Sequence, residues 1–139
     1  GFQVEAFRRL GMRPCGLDIG ANSIAYARNN FEKSNFYCED FSKFLSREMK
    51  FKLIFSSEVI EHIVQLDEYM EFLYNNLETK GYVYITTPNI DSDLVPKNIL
   101  DWDVFNPPRH VQFFGPENLK RLFLNHGFTV KKRFRGPKA

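Results

Sequence analysis

Cys15-Gly16-Leu17-Asp18-Ile19-Gly20-Ala21-Asn22-Ser23-Ile24-Ala25-Tyr26-Ala27-Arg28 is the stretch on which the reading of the fold turns. Its first five residues predict a short strand, Cys15 to Ile19, carrying Asp18 near its end and followed by the turn residues Gly20, Ala21 and Asn22. Asn22 or Ser23 then caps a helix that carries Ile24, Ala25, Arg28 and Phe31. Upstream, Phe2, Ala6, Phe7 and Leu10 recur every three or four residues, with Arg8 and Arg9 on another face and Gly11 as the stop, so a short amphipathic helix precedes the strand. Downstream the alternation repeats. Phe36 to Cys38 predicts a strand, and Asp40 caps a helix with Phe41, Phe44, Leu45 and Met49 on its apolar face. Phe51 to Phe55 predicts a third strand, and Leu66, Tyr69, Met70, Leu73 and Leu77 one side of a longer helix that reaches Lys80 and breaks at Gly81. Tyr82 to Thr87 is strongly β-prone and is closed by Pro88 and Asn89. Pro116 starts a helix stopped by Gly127, and Phe128 to Phe134 predicts a last strand.

Strands alternating with helices over short connections make an α/β domain with a mainly parallel sheet and helices on both faces. Ligands of such sheets bind beyond the carboxyl ends of the strands. Residues 90–115 break the alternation: they lack periodicity, and prolines punctuate the stretch from Pro88 to Pro116. So long a segment without regular structure predicts a functional loop or lid.

The 139 residues, 43% hydrophobic and 26% charged, suit one domain, and fifteen phenylalanines predict an aromatic-rich core. A net charge of +2 does not call for nucleic acid, and the basic cluster Lys131, Lys132, Arg133, Arg135 and Lys138 reads as a solvated last strand and its exit. Cys15 and Cys38 read as buried free thiols in a reducing compartment. No apolar run is long enough to span a membrane and no secretory segment opens the chain, which reads as cytoplasmic.

Polar residues at strand ends are the candidates for chemistry. The two oxygens of Asp18 match adjacent ribose hydroxyls, an arrangement that NAD-binding domains share. Asp40 can accept an adenine N–H with Phe41 and Ile19 giving apolar contact, and it can equally serve only as a helix cap. In Ser57-Glu58-Val59-Ile60-Glu61-His62-Ile63, a helical turn would set Glu58 and His62 on one face as a base or orienting pair. Both types also suit a metal, but two ligands do not make a site. In the aromatic loop, His110 can take a proton from a hydroxyl nucleophile, or simply be fixed by a backbone carbonyl.

Taken in order, Leu17 to Ala27, Glu39-Asp40-Phe41, Phe51 to Ile63 and Gly81 to Asn89 resemble a class I S-adenosylmethionine-dependent methyltransferase. The likeness extends to Pro108, His110, Phe113 and the region from Leu119 to Phe128, and it is greatest to the group that contains the ubiquinone-biosynthesis O-methyltransferases and other small-molecule methyltransferases. The resemblance implies a Rossmann-like domain over residues 1–139. It places the cosubstrate ribose on Asp18, its adenine on Ile19, Asp40 and Phe41, and the methionine moiety and substrate near Ser57 and Glu58. It likens Gly1 to the last glycine of the family's glycine-rich loop, so that the first strand and the rest of that loop are absent and the domain is truncated at both ends.

The family's sheet order would leave a gap between the strands at Cys15–Ile19 and Phe51–Phe55. The isolated chain is therefore expected to bind the cosubstrate weakly, or two copies to complete each other as a homodimer. The acceptor is expected to be a small molecule, attacked through a hydroxyl oxygen by direct displacement, and no metal is required. The competing readings are an NAD-dependent oxidoreductase and a non-catalytic Rossmann-like domain.

Overall fold

In a computed structural model that describes residues 1–131, strands and helices alternate as the spacing predicts. The order is α1 (Phe2–Arg9), β1 (Cys15–Asp18), α2 (Ala21–Asn30), β2 (Asn35–Cys38), α3 (Phe41–Leu45), β3 (Phe51–Ser57), α4 (Leu66–Asn76), β4 (Leu77–Thr86) and α5 (Pro116–Asn125). Short 3₁₀ turns lie at Ile60–His62 and Ile99–Asp101. The chain forms two compact units, Gly1–Arg47 and Glu48–Ala139.

In the first unit β1 and β2 run parallel, Cys15 opposite Asn35 and Asp18 opposite Cys38. Side chains alternate across a strand, so neighbouring residues serve opposite faces. Phe36 packs with Ile24 and Ala27 of α2, with Val4 of α1 and Phe31 against them. Tyr37, pointing the other way, meets Phe44 of α3 edge-on at 5.2 Å. Helices therefore cover both faces of this pair. Gly16 is small because α1 comes close: a Cβ there would lie 2.8 Å from the Phe36 ring and 3.1 Å from Val4.

The cap of α2 is Gly20, with no side-chain cap bond, and not Asn22 or Ser23. Asp18 claims the turn first, accepting the Gly20 amide on Oδ1 at 2.7 Å, so the helix begins earlier than its candidate caps. The buried stripe of α2 is accordingly Ile24 and Ala27, and Ala25 and Arg28 face outward. Asp40 does cap α3, accepting the Ser42 amide at 2.8 Å, but the helix ends at Leu45, short of Met49.

In the second unit β3 and β4 are parallel, with Leu53 opposite Tyr82 and Ser57 opposite Thr86. α4 stops at Asn76, so Leu77 opens β4 and does not extend the helix to Lys80. The ladder shifts register between Phe51 and Leu53, and Lys80 takes φ +66 in the excursion before Gly81. Ile60, Met70 and Leu73 are fully buried, and the Tyr69 hydroxyl of α4 meets Ser56 of β3 at 2.7 Å. Burial pushes the Tyr69 phenol up, and the negative charge of Glu61 adds to that shift. α5 is followed by Gly127 at φ +83, the stop expected of it.

Of the last expected strand, residues 128–131 carry no strand, and 132–134 lie outside the described residues, as do Lys132, Arg133, Arg135 and Lys138 of the basic cluster. Both cysteines are free, but Cys38 is exposed and only Cys15 is partly buried, burial raising its thiol pKa. No helix among the described residues is long and apolar enough to cross a membrane.

Candidate active site

Asp18 and Asp40 close neighbouring parallel strands at the same edge, Asp18 as the last residue of β1 and Asp40 two residues after β2. The Glu39 amide donates to the Asp18 carbonyl at 3.2 Å, continuing the ladder past Cys38 and holding the second turn beside the first. One oxygen of each carboxylate is used locally, Asp18 on the Gly20 amide and Asp40 on the Ser42 amide. A carboxylate offers about four lone-pair sites, so each retains acceptor capacity for a ligand. Ile19 projects beside them, 75% exposed. Phe41 starts α3 and is half-buried. Gly1 caps α1, its carbonyl accepting the Glu5 amide at 3.0 Å, and a Cβ on it would overlap the Phe31 ring at 2.5 Å.

The second unit places its candidates differently from the sequence reading. Ser57 lies within β3, and its hydroxyl pairs with Thr86 across the ladder at 2.7 Å. The helical face expected to join Glu58 to His62 does not form. Glu58 stands at φ +53 and its amide donates to the Thr86 carbonyl at 2.9 Å, so the ladder captures it and helical turning begins only at Ile60. A left-handed non-glycine residue costs roughly 1–2 kcal/mol, and at a strand end such strain marks a candidate site.

His62 finds another partner instead. Its ring lies 4.6 Å from that of His110, which the aromatic loop carries in. His62 donates from Nδ1 to the Arg109 carbonyl at 2.6 Å, and His110 from Nδ1 to the Val104 carbonyl at 2.6 Å. Carbonyls only accept, so these bonds put the proton of each neutral ring on Nδ1 and leave Nε2 as the basic atom. The loop is fastened at its foot, where the Ile90 amide donates to the Phe114 carbonyl at 3.0 Å, and it is filled by stacking of Phe105 on Phe113 at 5.2 Å.

Beside the histidines lies Glu61, quoted in the Ser57 to Ile63 stretch without a settled role. It is 2% exposed, and its carboxylate accepts the Thr87 hydroxyl at 3.0 Å. Its carbonyl accepts the amides of Val111 and Gln112 at 2.9 and 3.1 Å. Ile60 and Ile63 flank it, and an acid inside an apolar turn is the signal that marks it, because carboxylates are rarely buried without a partner. Glu61, His62 and His110 each offer a ligand atom, all within 4.8 Å of one another. Three donors thus meet where the sequence reading counted two. One carboxylate and two imidazoles suit a proton, and they equally suit a borderline divalent cation.

The pattern of a methyltransferase domain matches residues 3–132. The chain is 24% identical over 140 residues to a ubiquinone biosynthesis O-methyltransferase of Bartonella bacilliformis, covering 94% of this chain and 56% of that protein. It is 28% identical over 143 residues to the enzyme of that name from a Bradyrhizobium species, covering 96% and 56%. A SAM dependent methyltransferase from Archaeoglobus fulgidus has the same fold in its crystal structure, with a TM-score of 0.75 at 22% identity over 91% of this chain and 56% of that one. The chain spans a little over half the length of these relatives.

Proposed function

This chain belongs to the methyltransferase-domain family, among the class I S-adenosylmethionine-dependent enzymes related to the ubiquinone-biosynthesis O-methyltransferases, and from that premise we propose that it takes part in methyl transfer from S-adenosylmethionine to a hydroxyl oxygen of a small molecule. The observation that carries the reading is the pair of carboxylates, Asp18 and Asp40, at one edge of two neighbouring parallel strands. Asp18 accepts the ribose hydroxyls, Asp40 accepts the adenine amino group, and Ile19 and Phe41 give the base apolar contact.

In the reaction the acceptor oxygen attacks the methyl carbon in line with the C–S bond. The new C–O bond forms as the C–S bond breaks, its electron pair stays on sulfur, and S-adenosylhomocysteine leaves. The hydroxyl proton goes to Nε2 of His110 or His62, whose Nδ1 atoms are already engaged with carbonyls. Glu61 stabilises the imidazolium that results. Most of the acceleration comes from alignment of the reactants and exclusion of water.

The test compares ligands. At millimolar concentration, S-adenosylhomocysteine raises the melting temperature of the chain, NAD leaves it unchanged, and Asp18→Ala abolishes the shift. Stabilisation by NAD without stabilisation by S-adenosylhomocysteine would establish the oxidoreductase reading in its place.

A further inference from the structure

We propose that Thr87 is a positioning residue for the His62–His110 pair, acting through Glu61; its bearing on methyl transfer rests on the function proposed above. The Thr87 hydroxyl donates to Oε2 of Glu61 at 3.0 Å, in surroundings that leave Glu61 2% exposed. A buried carboxylate that loses a donor is strongly disfavoured where it stands, so this bond helps to decide where the Glu61 peptide lies. That peptide anchors the loop, its carbonyl accepting the Val111 and Gln112 amides.

The two histidines flank the anchor: His62 follows Glu61 and His110 precedes Val111. Fixing one peptide on the other therefore sets the 4.6 Å approach of the rings. The bond from His62 Nδ1 to the Arg109 carbonyl joins the same two segments, but it ends on a side chain with two rotatable torsions and constrains them less than paired backbone bonds. Thr87 can reach Glu61 because β3 and β4 are parallel and in register at Ser57 and Thr86, so Thr87 emerges beside the turn that follows β3. Valine has nearly the shape of threonine and lacks the donor.

The full chain is compared with Thr87→Val and Thr87→Ser by amide hydrogen exchange and by the nuclear Overhauser effect between the two imidazole rings. In T87V the Val111 and Gln112 amides exchange faster by about tenfold or more and the ring-to-ring signal disappears, while the Glu58 amide, bonded to Thr86, keeps its rate. T87S retains wild-type exchange and the ring contact. Should T87V not fold, Glu61→Met, which fills the space and offers no acceptor, takes its place with the same expectation. Unchanged exchange and an intact ring contact in the folded variant would overturn the proposal. So would a T87S protein that behaves like T87V, because packing of the methyl group would then be the cause. Neither readout involves a ligand, so failure of the methyltransferase reading would leave both standing and would show instead in the melting comparison.

Discussion

Glu58 and Glu61 are three residues apart in one short motif and end in opposite environments. The backbone decides between them: Glu58 is captured by the β4 ladder and exposed, whereas Glu61 falls on the buried side of the turn and meets Thr87. Helical spacing from His62 points to Glu58, but the helical turn begins only at Ile60, so that spacing does not apply. Asp18 and Asp40 were legible because each stands where a strand gives way to a helix, and that position alone defines their surroundings. At this scale Glu5 makes a further prediction. Bonds from Arg8 and Arg9 hold its carboxyl down at about 2 from an ordinary 4.5. A carboxylate whose folded pKa is depressed contributes stability above its unfolded pKa, and that contribution is lost as pH falls from about 4.5 towards 2. Glu5→Gln should therefore lower the melting temperature at pH 6, and the difference from wild type should vanish near pH 2. Because Arg9 is exposed, high salt should also shrink it.

Among the elements, strands and helices followed from spacing, and their ends did not. β4 begins at Leu77 because the last turn of the expected helix instead enters the ladder opposite Phe51, a pairing that only a neighbouring strand can offer. α2 likewise starts at Ala21 because Asp18, four residues before the expected cap, already binds the turn. The hold of α4 on β3 includes one buried polar bond, between Tyr69 and Ser56. Tyr69→Phe leaves the Ser56 hydroxyl without that partner, and chemical denaturation should show a loss of about 1–2 kcal/mol with an unchanged denaturant dependence. Unaltered stability would mean that Ser56 finds another acceptor or donor nearby.

At the scale of the molecule, each of the two compact units carries its own set of candidate residues, nucleoside-binding groups in residues 1–47 and proton-accepting groups in residues 48–139. If the first set binds the nucleoside, adenosine alone should mark it. Titrated into the isotopically labelled chain, it should shift the amides of Ile19, Gly20, Glu39 and Ser42 and leave those of Val111 and Gln112 in place; a footprint confined to the second unit would refute the assignment of Asp18 and Asp40. The α/β alternation, the parallel direction of the strands and the two acids at their ends were determined by the sequence alone, because hydrophobic period, turn residues and strand-to-helix junctions are local properties. The meeting of Glu61, His62, His110 and Thr87 was decided only by tertiary structure. Thr87 lies 26 positions after Glu61, and His110 arrives on a loop without periodicity, so their contact depends on strand register and loop anchoring, which no local pattern encodes.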